Sequence, residues 1–588
     1  MGWKKFIQIE LPVLLFCTIV LCVGISRKEG YHMDELLSFE LANAEFNPWI
    51  VPTQPEGRLA KFVHNEIDGG SFGETFGNLA DTVKDVLKNR GESKLLAYTA
   101  DVYEEPVWID RQTFVDYITV GKDDAFNYLS VYFNVKDDNH PPLHFMLLHT
   151  VSSVFQGQTE AWMGCIINLA AVMAVMVLLM KLGNGLAGEL GLGKYQRVAG
   201  ILCAACYGLS SGALATVLLI RMYALLTLWC VAYFYLIIRK WQDWEFDKKN
   251  FRLILVTLLG FWTQYFFLFY CISLAAVTAV LLLRRRRLRE LFCFVRSMIT
   301  SAVVGIAAFP FAVSDVFSSG RGVEALENLS AGFAGYGARI WEFMKILASR
   351  TFFPLFWVMF VILAVEALWF SRKKQALNLE KNREKTALVW LLLLPVVGYF
   401  LLAARMSPYL VDRYVMPVFP FAILAGTLIL FALLAIVAKR RNETGGRYLV
   451  EAVCMIALVL QLVGLYKYDG SYLYQGYGRQ EHFAGSYADY PCICVYDGVG
   501  YYENLPEFTH YEKTLLLTYE ELVNRQETES IRELDQVVVL VKNDLYASAR
   551  VLDFLSERYG LTVELIGARV PGVHGDQLYF MTKEGNGL

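Results

Sequence analysis

Positive charge is not in excess in this chain. The net charge is −3, so no bulk basic field points to nucleic acid as a partner. No zinc framework is visible among the cysteines. They number 11, an odd count, and most lie inside apolar segments (Cys17, Cys22, Cys165, Cys203, Cys206, Cys230, Cys271, Cys454). Such cysteines read as small packing residues, and this includes Cys203 and Cys206, whose CxxC spacing has no soluble redox context. Cys492 and Cys494 are two apart on an expected strand, where side chains point the same way, which disfavours a disulfide between them. Internal repeats and low-complexity tracts are also missing. What the chain has is apolar surface. Of its 588 residues, 55% are hydrophobic, and mean hydropathy is +0.38. Ordinary soluble domains are about 45–50% apolar even with glycine counted. Aromatics reach 14%, which suits interfacial belts and a sugar or lipid site, although membrane proteins are aromatic-rich in general.

A helix needs roughly 20 apolar residues to cross a bilayer core. Eleven runs qualify, at about 8–26, 162–181, 198–218, 222–238, 252–264, 265–283, 297–314, 351–370, 386–404, 414–438 and 448–466. The expected fold is a polytopic α-helical membrane protein with about eleven transmembrane helices. Lys and Arg should crowd cytoplasmic loops. The clusters Lys4-Lys5, Lys181/Lys194/Arg197, Arg239 to Arg252, Arg284 to Arg289, Arg372 to Lys374 and Lys439 to Arg441 fall at every second loop. That alternation closes if the N-terminus is cytoplasmic and the C-terminus extracytoplasmic. The segment 141–157 is apolar but short, and counting it as a span would put the arginine blocks outside. It reads instead as an interfacial helix on the outer face. The first span has a basic start but no clear small-x-small cleavage site, so it reads as an uncleaved anchor.

Two domains are expected: a membrane module, 1–466, whose first extracytoplasmic loop runs over 27–161, and an extracytoplasmic α/β domain, 467–588. The tail alternates strand-like runs (493–497, 536–542) with a helical run near 546–559. It contains Tyr466, Tyr468, Tyr472, Tyr474 and Tyr477 but no assignable catalytic motif.

Three sets of polar residues stand out near the expected outer face. Asp34 and Glu35, in YHMDELLSFELAN, are adjacent carboxylates just past the first span. Solvated loop charges or a helix N-cap are the bland alternatives. His140, in DDNHPPLHFMLLH, precedes Pro141 and Pro142, which suit a helix start. Together with His144, Asp34 and Glu35 it is also the one candidate set for a divalent metal. The prolines, however, are expected to hold His140 just outside the helix. Arg221 (LLIRMYALL), Arg405 and Arg413 (ARMSPYLVDRYVMP) are arginines where the inside rule makes them scarce. A phosphate ligand or snorkelling to headgroups would explain them, and Asp412 beside Arg413 suggests a plain ion pair.

The order Asp-Glu, His-Pro-Pro-Leu (140–143), Arg-Met-Tyr (221–223), Arg-Tyr (413–414) resembles the GT-C class of integral-membrane glycosyltransferases. Within that class it resembles the protein O-mannosyltransferases and the lipid A aminoarabinose transferases. The resemblance covers about the first 430 residues. It implies transfer of a monosaccharide from a polyprenyl-phosphate donor to an extracytoplasmic acceptor at the plasma membrane, usually with inversion. It implies Asp34 as the base and Glu35 as its helper. The departing phosphate would be met by Arg221, Arg405 and Arg413, with His140, Tyr223 and Tyr414 as further donor contacts. No cofactor is required by this reading, and a divalent metal stays an open alternative.

No cytoplasmic loop reaches the 30 or so residues of a nucleotide-binding βαβ unit, which counts against nucleotide sugars. A transporter or lipid-linked-sugar flippase is the alternative, disfavoured by few charges at midplane depth and no paired broken helices. A membrane-anchored binding protein is the third reading.

Overall fold

A computed structural model describes residues 10–89, 92–99, 105–136, 138–248, 250–317, 320–372, 383–438, 443–468, 470, 484–524, 529–542, 545–568 and 576–583. The clusters Lys4-Lys5, Lys373-Lys374 and Lys439 to Arg441, with Lys249, Tyr472, Tyr474 and Tyr477, lie outside the described residues. The chain forms two compact units. The first comprises 1–27, 136–144 and 164–470; the second comprises 28–135, 145–163 and 471–588.

The first unit is a helical bundle. Seven described helices are long and apolar enough to cross a membrane: Ala161–Glu189, Tyr223–Asp243, Phe267–Arg284, Leu288–Ala308, Glu384–Met406, Asp412–Ala438 and Thr444–Tyr466. Two bent pairs bring the number to nine, Gln196–Gly208 with Ser211–Leu218 (53°) and Tyr336–Thr351 with Pro354–Leu368 (89°). Leu11–Ile25 and Phe251–Thr263, expected as two more spans, are apolar helices of 15 and 13 residues. The helix Leu288–Ala308 shows why this is a membrane protein. It exposes Leu288, Phe292, Val295, Ile299, Val303 and Ile306 along one stripe and buries Phe294, Ser297, Ser301 and Gly305, mostly small, on the other side. A water-soluble helix does the reverse; small residues inside and apolar residues outside are how helices pack in lipid.

The two bends differ in angle and in cause. The first break follows from Ser210, whose hydroxyl accepts the Ala213 N–H at 3.0 Å and so starts a new helix. The second lies at Phe352–Phe353 before Pro354, which starts a helix and cannot continue one.

The second unit contains a six-stranded sheet of order β1-β3-β2-β4-β6-β5. Its strands are β1 Trp108–Asp110, β2 Cys492–Tyr496, β3 Lys513–Thr518, β4 Gln536–Val541, β5 Leu561–Ala568 and β6 Gln577–Lys583. The central β3-β2-β4 are parallel, and their apolar runs are buried on both faces, as parallel strands require. The helix Leu545–Tyr559 packs Val551 and Leu555 into that core. The edge strand β1 comes from the first loop and pairs antiparallel with β3, Ile109 opposite Thr514. The loop and the tail therefore share one sheet. Arg111 reinforces the join, donating from Nε to the Tyr511 carbonyl at 3.1 Å and from its guanidinium to the Ala488 carbonyl at 2.5 Å.

Candidate functional site

In the second unit, the acidic pair opens the helix Met33–Asn43. His32 is the N-cap: its Nδ1 accepts the Asp34 N–H at 3.2 Å, while Glu35 Oε2 accepts the His32 N–H at 2.7 Å. This is a capping box with histidine where serine or threonine is usual. Glu35 also meets Lys28, Nζ to Oε2 at 2.8 Å, and both side chains are fully buried. The two carboxylates thus differ. Glu35 is held by a buried cation and a cap. The Asp34 side chain retains 21% exposure, with Oδ2 3.6 Å from His32 Nδ1, in a first turn whose dipole favours the anion.

The frame behind the pair is polar and hydrogen-bonded. Tyr117 donates to Glu40 Oε1 at 2.5 Å inside the unit. Burial, then the Glu40 charge, pushes the Tyr117 phenol well above its ordinary value. His149 donates from Nδ1 to the Ala42 carbonyl at 2.7 Å, and burial lowers its imidazole below the ordinary range. Tyr31 donates to the Thr159 carbonyl at 2.7 Å.

In the first unit, Pro141 and Pro142 stand just before the helix Leu143–Val154, so His140 lies outside it. At 12 residues this helix is too short to span a bilayer. His140 Nδ1 is 2.9 Å from Asp138 Oδ2, and both are largely buried. Burial raises the Asp138 carboxyl, but the charges of His140 and Arg221 outweigh it and hold the group below the usual carboxylate value. His144 is fully buried. Burial, then Arg221 and His140, pulls its imidazole down to about 3, so it is neutral at working pH.

Arg221 is itself buried, 6% exposed, in the short link between Ser211–Leu218 and Tyr223–Asp243. That link is fixed from beneath. Asn168 Nδ2 donates to the carbonyls of Val217 (3.2 Å) and Leu219 (2.5 Å). Gly164 admits the Ile220 side chain; a Cβ there would lie 2.0 Å from Ile220 Cγ2. Next to the link, Tyr223 meets Tyr414 edge to face at 6.1 Å, Phe266 covers Tyr414 at 5.6 Å, and the Arg413 guanidinium stands 5.4 Å from the Tyr414 ring. Tyr399 donates to the Tyr414 carbonyl at 2.9 Å and locks this turn.

No family model matches the chain, and no curated protein matches it. Solved structures do. The chain is similar to the crystal structure of ArnT from Cupriavidus metallidurans bound to undecaprenyl phosphate, at 14% identity and a TM-score of 0.42, over 75% of this chain and 88% of that one. It is also similar to the apo state of the same protein, at 12% identity and a TM-score of 0.39, over 75% and 87%. ArnT is a lipid A aminoarabinose transferase, a family the ordered motifs resemble. At TM-scores below 0.5 the fold rests on the bundle and sheet described above, not on these likenesses.

The structure brings Arg221, Tyr223, Arg413, Tyr414 and His140 into one helical unit, and Asp34 and Glu35 onto one helix turn of the other. Arg405 has another occupation. Its guanidinium donates to the carbonyls of Leu329, Ala331 and Gly332, closing the end of the helix Gly320–Ser330. Asp412 pairs with Arg350, Oδ2 to Nε at 3.2 Å, a partner far along the chain. No group of three or more His, Cys, Asp or Glu among the described residues is arranged to hold a metal ion, the set Asp34, Glu35, His140 and His144 included. Sequence reasoning passed over Asp138, although its spacing from His140 was on view in DDNHPP. It also missed Asp315, which accepts the Tyr265 hydroxyl at 2.6 Å; the signal was one acid in the apolar stretch FPFAVSDVF.

Proposed function

We propose that this protein transfers a monosaccharide from a polyprenyl-phosphate carrier to an acceptor hydroxyl on the extracytoplasmic face of the plasma membrane, with inversion. The observation that carries the reading is Arg221, a cation buried in a membrane bundle at the start of a spanning helix. A buried charge in such a place is expensive and marks function by default. Here it stands where a helix N-terminus adds positive potential, which suits an anionic headgroup arriving sideways from the bilayer.

In the step proposed, the acceptor oxygen forms a bond to the anomeric carbon while the bond from that carbon to the phosphate oxygen breaks. The acceptor proton passes to the Asp34 carboxylate, and polyprenyl phosphate leaves. Asp34 is the base rather than Glu35 because Glu35 is spent on Lys28 and the His32 cap. Arg221 and Arg413 stabilise the charge gained by the leaving phosphate, each worth on the order of a few kcal/mol in a dry site. His140, oriented by Asp138, and the Tyr223–Tyr414 pair complete the donor contacts. Arg405 holds the helix end instead.

Broken helices are also found in transporters, where breaks recur in matching positions of two repeats. The two bends here differ in angle and cause, and the sequence has no internal repeat. Radiolabelled polyprenyl-phosphate sugar in proteoliposomes separates the two readings. Label moving to an acceptor, and lost on Asp34→Ala with normal folding, supports transfer. Carrier-linked sugar crossing the bilayer unchanged supports a flippase and ends this proposal.

A further inference from the structure

The helices Ala161–Glu189 and Tyr223–Asp243 have a second polar end. Asp243 lies a full helix length from Tyr223, roughly 30 Å at 1.5 Å per residue. Between these far ends and the start of Leu11–Ile25 there is an open groove of about 1070 Å³. That is slightly above the range of ordinary ligand pockets, about 300–1,000 Å³. Its position is the end that the basic loops mark as cytoplasmic.

The groove is sorted by depth. Met180, Leu186 and Ile238 supply apolar wall and are buried. Lys181, Arg239 and Glu189 stand exposed at the rim. At the bottom is Glu10, 2% exposed. Its Oε1 lies 3.2 Å from Arg197 Nε, while Oε2 has no hydrogen-bond partner among the described residues. A buried carboxylate oxygen left open is costly, the more so when the group is charged. It is the kind of atom that a ligand's donor satisfies.

We propose that this groove binds the headgroup of an amine-bearing zwitterionic phospholipid from the facing leaflet, of the phosphatidylethanolamine type. A primary ammonium carries three N–H donors for Glu10 Oε2 and the amides of Asn184 and Gln242 that share the lining. The phosphate then sits at the rim between Lys181 and Arg239. Arg239 can turn to it, since its ion pair with Asp243 is long (3.5 Å) and solvent-exposed, hence weak. The acyl chains leave along the apolar wall into the bilayer. Trimethylation of the amine removes every donor that Glu10 needs, so a choline headgroup is rejected. A headgroup without an amine brings a second anion toward a buried carboxylate and is rejected too. This site is independent of the transfer reaction and lies at the opposite end of the same helices.

The test uses full-length protein in nanodiscs containing equal parts phosphatidylethanolamine, phosphatidylcholine and phosphatidylglycerol, followed by native mass spectrometry of retained lipid. The ethanolamine lipid is expected to be retained about tenfold over the other two, the worth of one charge-assisted hydrogen bond. Glu10→Gln is expected to abolish the preference. Because Glu10 also pairs with Arg197, a second variant guards against misfolding. Gly185 lines the groove from an exposed helix position where a Cβ meets only Gln242 Nε2, at 3.9 Å. Gly185→Leu therefore fills the groove without disturbing the bundle and is expected to release the lipid. Equal retention of all three lipids, or undiminished ethanolamine preference in Gly185→Leu, overturns the proposal. Soluble glycerophosphoethanolamine displacing the lipid at equal concentration would make the ligand a free amine phosphate and overturn the lipid assignment.

Discussion

Lys28 and Glu35 form an ion pair at 2.8 Å with both side chains removed from solvent, one residue away from the half-buried carboxylate of Asp34. Adjacent acids in the sequence are thus unequal in the fold, and the inequality sets the first prediction. Asp34→Asn is expected to fold normally and to lose transfer by about 10²–10⁴-fold, the usual worth of a general base. Glu35→Gln is expected to act on stability first, because it leaves the Lys28 charge buried without its partner, at about 3–5 kcal/mol. Transfer rate and thermal unfolding, measured on both variants, check this. A stable Glu35→Gln with no activity beside a fully active Asp34→Asn would reverse the two roles.

The arginines divide in the same way. Arg221→Gln is expected to lower turnover by about 10²–10³-fold, as loss of one charge-stabilising donor does. Arg221→Lys should recover little, because a point charge does not replace the planar fork. Arg405→Gln is expected to leave turnover within a few-fold and to loosen the helix Gly320–Ser330, whose end it closes. Hydrogen exchange over 320–332 reads that loosening. Equal loss of turnover in Arg221→Gln and Arg405→Gln would place both at the phosphate.

Acid should destabilise the first unit through His144. Its imidazole titrates near 3 in the fold, against 6.5 for the free side chain. Between these values the unfolded chain binds a proton that the folded chain refuses. Stability is therefore full above about pH 6.5 and falls as pH drops toward 3. His144→Leu, which keeps the position apolar, is expected to flatten that part of the profile. Unfolding midpoints measured across this window in detergent decide it; an unchanged slope in the variant would assign the acid sensitivity elsewhere.

Tyr117→Phe tests the frame of the second unit. It removes the hydroxyl that serves Glu40 and leaves a buried carboxylate short of a donor. A loss of about 1–3 kcal/mol is expected. Phenylalanine fits the space, so no cavity is made. The measurement is the denaturation midpoint, and Glu40→Gln in the same background should restore part of the loss by neutralising the buried group.

Much of the fold can be read in the chain because lipid imposes a coarse rule. Each expected apolar run has a helix, and β2, β4 and the helix Leu545–Tyr559 lie within a residue or two of the strand and helix patterns. The break at Ser210 lay hidden because a capping hydroxyl changes direction without changing hydropathy. The three residues of β1 were hidden because so short an edge strand has no period of its own and exists only by pairing with β3.

Among the site residues, type and order were set locally. Asp34-Glu35, His140-Pro141-Pro142 and Arg221-Met222-Tyr223 each stand within a few positions, where chain geometry alone keeps them near. Only the tertiary structure decided which carboxylate is buried against Lys28, that Tyr223 meets Tyr414, that Asp412 belongs to Arg350, and that Arg405 is spent on helix carbonyls. Those outcomes depend on partners far along the chain, and a side chain's charge, exposure and free valence are properties of what packs against it.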